Sequence, residues 1–191
     1  DTDGWIDVGP AGSSYYYSRT REPTRGTLML DGDRVPVTGI SWFDHQWGDF
    51  ISVGGGGWDW FAVNLDDGTD LTLSLVRAAD GTFPLVYGTL IPRGKPAEHL
   101  AATEFSVETT GHWTSPRTGA VYPAGWRIWL PREDLTIVLD PTVASQELDT
   151  RPTTGVVYWE GSQAVTVVRD GVRRERAGDA YVELTGYAPA G

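Results

Sequence analysis

Hydrophobic and polar residues alternate with a period of two along most of this chain, in short runs closed by Gly, Asp or Pro. That period is the signature of extended strands with one buried face. Residues 25–30 (RGTLML) and 35–40 (VPVTGI) flank Asp31-Gly32-Asp33-Arg34, which reads as a hairpin. Pro36 has no N–H to donate, which puts the second of these strands at an edge or a bulge. Asp66-Asp67-Gly68 joins residues 59–65 to 70–76, Asp80-Gly81 follows the latter, and Asp170-Gly171 follows residues 164–169. Each is a pair that tolerates the left-handed backbone of a tight turn, so each implies antiparallel neighbours.

Further strands are expected at residues 14–20, 41–47, 85–91, 103–109, 124–130, 135–139, 155–160 and 180–187. The pattern predicts an all-β fold, an antiparallel barrel of roughly 8–12 strands with little helix. Only residues 96–102 and 131–135 have a helical character, and neither is long enough for more than a turn or two. The four glycines at 54–57 offer no side chains to pack and carry the largest ordering entropy, so they read as a flexible hinge or lip rather than a strand interior. No Lys-Ser or Lys-Thr follows them, and a phosphate-cradling role has no support.

Composition narrows the picture. With 191 residues, 40% of them hydrophobic, the chain suits one large β domain spanning residues 1–191. The formal charge of −11, with 15 scattered basic residues against 26 acidic ones, argues against nucleic acid or an anionic membrane surface as partner. There is no cysteine, hence no disulfide, no thiolate nucleophile and no Cys-ligated metal. No apolar run is long enough to span a bilayer as a helix. The abrupt start at Asp1 reads as a removed leader or upstream domain. The compartment stays open between secreted or periplasmic and cytoplasmic, membrane-peripheral.

Candidate chemistry is concentrated in one segment. Four of the nine tryptophans lie between Trp42 and Trp60, interleaved with Asp44, His45, Asp49 and Asp59. A carboxyl or imidazole held against indole rings loses solvation, and its pKa moves toward the range of proton transfer. Strand alternation places Asp59, Phe61, Val63 and Leu65 on one face and Trp58, Trp60, Ala62 and Asn64 on the other. It likewise groups Phe43, His45 and Trp47 against Trp42, Asp44 and Gln46. Asp59 is then either a protonated general acid in an apolar lumen or a hydrogen-bonded structural carboxylate. His45 is either a second proton carrier or a packed ring. His45, His99 and His112 match no zinc spacing, and no serine sits in a nucleophile elbow. Two acids drawn from Asp59, Glu160 and Glu183 would suit a glycosidase, although nothing sets their separation. The Tyr15-Tyr16-Tyr17 run and the large total of aromatic volume suggest that some rings face a cavity or a partner domain.

The strings SYYYSRTR, V-x-G-I-S-W-F-D-H-Q-W-G-D-F, GWDWFAVNLDDG-x-DL, VYWEG and AYVELTGY, in this order from Tyr15 to Tyr187, resemble the hydroxyneurosporene synthase or carotenoid 1,2-hydratase family, also called AttH-like. The resemblance implies a lipocalin-like β-barrel corresponding to the C-terminal half of a two-domain protein, with an upstream lipocalin-like domain as partner. It implies a hydrophobic small-molecule ligand, isoprenoid or polyketide-like, and no cofactor. The implied activity is acid-catalysed addition of water to a C=C bond, a hydro-lyase reaction. A Diels–Alderase-like cyclase and a non-catalytic lipocalin-like binding domain are the alternatives. In this reading Asp59 is the acid and His45 its partner, while Trp47, Trp58, Trp60, Phe61, Phe43 and Tyr16 bind the ligand. Tyr158, Glu160, Glu183 and Tyr187 also belong to the shared strings and read as architectural.

Overall fold

The computed structural model describes residues 4–7, 12–49 and 55–189. Their contacts divide into two compact units, one of the described residues up to 49 and the other of residues 55–189.

The first unit is a three-stranded antiparallel sheet of β1 (Trp5–Asp7), β2 (Ser13–Leu30) and β3 (Asp33–Asp49), in the order β1-β2-β3. The expected hairpin is present, with both turn residues, Asp31 and Gly32, at positive φ (49° and 92°). This is the backbone that a two-residue turn needs to match strand twist. The strands are longer than the sequence pattern suggested. Residues 14–20 and 25–30 form one strand, with a register shift between Arg19 and Glu22, and residues 35–40 and 41–47 form another. Pro36 sits on the edge strand, paired with Thr27.

In the second unit β4 (Gly55–Leu65), β5 (Asp70–Ala78), β6 (Leu85–Ile91), β7 (Glu98–Ala101) and β8 (Ser106–Thr109) are followed by the ribbon β9 (His112–Thr114) and β10 (Val121–Pro123). Next come β11 (Trp126–Leu130), a 3-10 turn at Pro131–Glu133, β12 (Leu135–Pro141), β13 (Glu147–Asp149), β14 (Val157–Arg169) and β15 (Val172–Thr185). Ten of these strands make one antiparallel sheet, β7-β6-β5-β4-β15-β14-β12-β11-β8, with β13 added to β14. The sheet is strongly curled into a half-barrel, the lipocalin-like all-β architecture.

Two expectations are corrected. Residues 98–101 form a strand rather than a helical turn, because Leu100 pairs with Gly88 and is buried at 3% exposure. Pairing and burial outweigh a weak local helix preference. Of the glycine run, Gly54 lies outside the described residues, and Gly55–Gly57 are no open loop either, since β4 begins at Gly55 and a bulge between Gly55 and Gly57 pairs with Ala78 and Arg77 of β5.

The core lies on one face of the curled sheet. Phe61 and Val63 of β4, Leu73 of β5, Val182 and Leu184 of β15, Trp159 of β14 and Ile137 of β12 are all at 0% exposure. Phe61 meets Trp126 edge-on at 5.6 Å between ring centroids, and Trp126 meets Trp159 at 5.8 Å. The set Asp59, Phe61, Val63 and Leu65 grouped by alternation is therefore the one that burial places in the core.

Candidate functional site

Asp59 lies on that core face. It pairs with Leu184 on β15 and Leu75 on β5, one step along the face from Phe61, and is 5% exposed. Its carboxylate accepts a hydrogen bond from the Tyr187 hydroxyl, which stands 2.9 Å from both oxygens. Burial raises its pKa from 3.8 to about 6, and the Tyr187 hydrogen bond and the charge of Arg77 only partly oppose this. Arg77 itself is committed elsewhere. It donates to the Gly56 carbonyl (2.8 Å) and the Thr185 carbonyl (2.8 Å), and its guanidinium lies 3.7 Å from the centre of the Tyr187 ring.

Two glycines bring these groups together. Gly57 (φ +97°) and Gly186 (φ +75°) interlock where β4 and β15 run out, and a Cβ on Gly186 would stand 1.9 Å from the Gly56 oxygen. Only glycine allows this approach in the left-handed region. The turn at Gly186 leads the chain out of β15 and sets Tyr187 over Asp59. Behind Tyr187, the Tyr122 ring is 5.5 Å away, and Trp113 stacks on Tyr122 at 6.0 Å.

Glu147 shows what an ordinary buried carboxylate looks like in the same unit. Its side chain is 2% exposed, yet its pKa is held below the usual carboxylate range. Burial pushes it up, but four donors more than offset this: Thr118 Oγ1 (2.6 Å), Ser115 Oγ (2.8 Å), Tyr122 Oη (3.0 Å) and Arg117 Nε (3.2 Å). Asp59 has a single hydroxyl against it. That difference displaces the two carboxyls in opposite directions, Asp59 upward and Glu147 downward.

Trp58 and Trp60 stand on the face of β4 opposite Asp59, as alternation requires. There Trp60, Glu183 and Glu160 line up across β4, β15 and β14. Trp58 Nε1 donates to Glu183 Oε1 at 2.7 Å, and its ring lies 6.5 Å from that of Tyr158. Burial raises the pKa of Glu160, partly offset by a hydrogen bond from Tyr181. Phe61 is wholly core.

In the first unit Phe43, His45 and Trp47 share a face as expected. His45 is exposed and lies 4.8 Å from Trp47 and 5.6 Å from Tyr17 between ring centroids. Tyr15 stacks on Trp47 at 5.3 Å, and Trp5 closes the ladder against Tyr15. Tyr16 belongs to the other face, where it hydrogen-bonds Asp44 together with Ser18 and Trp42. Burial still leaves Asp44 raised. The candidates thus form four groups: Phe43, His45 and Trp47; Tyr16 on the opposite face of that sheet; Asp59 and Phe61; and Trp58 with Trp60.

Sequence reasoning gave Tyr187 an architectural role and gave Arg77 none. The Gly-Tyr step closing a strand was the available signal for Tyr187, whereas nothing local marks Arg77. Among the described residues no three His, Asp or Glu side chains converge on a metal position. A buried carboxyl with a pKa near 6, among Leu75, Leu184 and Phe61 and touched by one hydroxyl, is equipped to hold and deliver a proton.

The AttH-like family model matches residues 2–187. Among solved structures, a protein of Nitrosomonas europaea assigned as an AttH superposes with a TM-score of 0.85 at 34% identity, over 99% of this chain and 57% of that one. Kievitone hydratase from Nectria haematococca superposes with a TM-score of 0.74 at 17% identity, over 95% of this chain and 55% of that one. The chain therefore spans little more than half the length of either structure.

Proposed function

Because the chain belongs to the AttH-like family, we propose that it contributes the acid of a hydratase-type enzyme that adds water to a C=C bond of an apolar, isoprenoid or polyketide-like substrate. The observation that carries this reading is Asp59, a carboxyl buried in an apolar face with its pKa raised to about 6. Protonated Asp59 gives its proton to one alkene carbon, forming a C–H bond from the π pair and leaving a carbocation at the other carbon. Water adds to that centre. The oxonium then loses a proton, which restores the acid and yields the alcohol. The rings that share the Asp59 side of the sheet, Tyr187 and Tyr122, are suited to face the developing cation. His45 and Trp47, with Phe43, offer an exposed aromatic surface to an apolar ligand. The likeness to a protein named as a hydratase supports the reading at the level of fold.

The test is Asp59→Asn with an acyclic polyprenyl alkene in H₂¹⁸O, followed by mass spectrometry. The wild type is expected to yield the labelled alcohol, and the variant to lose about 10²–10⁴-fold in rate, the usual contribution of a general acid. An isomer of unchanged mass would instead indicate a cyclase. Ligand binding without product in either protein would indicate a carrier.

A further inference from the structure

An acid consumed in each turnover has to be recharged, and Asp59 is badly placed to recharge directly. It is 5% exposed, the neighbouring strands offer it Leu75 and Leu184 and its own strand Phe61, and none of these conducts a proton. Among the described residues, the side chain hydrogen-bonded to it is Tyr187, which is only partly buried. We propose that Tyr187 is the positioning and proton-relay residue of Asp59, its hydroxyl passing protons between water and the carboxylate while Arg77 holds the ring in place.

Three features of the geometry carry this. The hydroxyl stands 2.9 Å from both carboxylate oxygens, so either oxygen can take the proton without a change of rotamer. The ring is held on one side by the Arg77 guanidinium at 3.7 Å, and Arg77 is itself fixed to the carbonyls of Gly56 and Thr185. Tyr122 lies on the ring at 5.5 Å, and its own hydroxyl is committed to Glu147. The charged and titratable groups facing the pair are therefore Arg77 from β5 and Tyr122 from β10, with apolar Leu184 and Phe61 from β15 and β4. Burial and the adjacent Asp59 push the Tyr187 hydroxyl far above its ordinary range, so it stays protonated. The transfer is then an exchange: the O–H of Tyr187 breaks as its proton joins Asp59, and a new O–H forms from a proton given by a hydronium ion, which leaves as water, with no tyrosinate left over. In the proposed hydration that proton comes from the product oxonium.

The inference rests on Asp59 being the acid of the proposed reaction, but its test needs no substrate. The carboxyl carbons of aspartate are labelled with ¹³C, and the Asp59 line is assigned by its loss in Asp59→Asn and followed through a pH titration. In the wild type a single averaged line should titrate near pH 6. In Tyr187→Phe, which keeps the ring and its contact with Arg77, the midpoint should move up, because the lost hydrogen bond favoured the charged form. Exchange between acid and carboxylate should also slow by roughly tenfold or more, broadening the line. Arg77→Lys keeps the charge but loses the two-carbonyl clamp, and should broaden the line less. A Tyr187→Phe line as sharp as the wild type overturns the relay, whatever its midpoint, since a bond that only positions Asp59 moves the midpoint alone. If Asp59→Asn retained hydratase activity while Tyr187→Phe broadened the line, the proposed function would fail and the relay would stand.

Discussion

Replacing Asp59 by Asn tests the buried acid through stability, independently of any reaction. The carboxyl titrates near 3.8 in an exposed chain and at about 6 in the fold. Between these values the folded protein keeps a proton that the unfolded chain has released, so unfolding releases a proton and rising pH favours it. The stability linked to Asp59 is fully present below about pH 3.8 and is lost as the pH climbs to about 6. At about 1.4 kcal/mol per pH unit, the displacement amounts to about 3 kcal/mol. Asn carries no such dependence. The stability of Asp59→Asn minus that of the wild type should therefore increase by about 2.4 kcal/mol between pH 4 and pH 7, whatever the fixed cost of placing an amide beside Tyr187. For a chain of this size that corresponds to roughly 5–10 °C in melting temperature. The assay is urea denaturation followed by tryptophan fluorescence at several pH values for both proteins. A difference that stays flat with pH, or that falls as pH rises, would refute the reasoning, because Asp59 would then be an ordinary ionised carboxylate.

Other perturbations probe the scaffold around it. Gly186→Ala would put a Cβ 1.9 Å from the Gly56 oxygen in a left-handed backbone, and should destabilise by about 3 kcal/mol or more in a thermal melt. Tolerance of this change would contradict the interlock that places Tyr187. Glu147→Gln weakens a four-donor anchor and should lower stability by about 2–4 kcal/mol in urea titration. Glu108→Gln, which breaks an exposed pair with Arg127, should change stability by no more than about 1 kcal/mol. Equal effects at the two glutamates would contradict the assignment of Glu147 as the structural carboxylate.

The fold was legible wherever the signal was local. Turn pairs such as Asp31-Gly32 and Asp170-Gly171 marked hairpins correctly, since a left-handed two-residue turn restricts its residues whatever lies beyond. Residues 98–101 and the glycine run were misread for the opposite reason. The first is a strand because β6 pairs with it, and in the second Gly55–Gly57 join the sheet because β5 pairs with them and Arg77 and Thr185 close on the backbone of Gly56 and Gly57. Neither partner is near in sequence.

The same division runs through the candidate site. Cβ atoms alternate along any extended chain, so the sequence alone determined that Asp59 goes with Phe61, that Trp58 and Trp60 go to the opposite face, and that Phe43, His45 and Trp47 travel together. Alternation does not say which face is buried, how well a carboxyl is satisfied, or what reaches it. Those were decided by tertiary structure: β15 pairing with β4 brings Tyr187, 128 residues away, onto Asp59, and β5 supplies Arg77 to hold it there. Solvation and hydrogen bonding depend on everything within a few ångströms, however distant in the chain. For that reason Asp59 and Glu147, two acidic residues in one sequence, end with pKa values displaced in opposite directions.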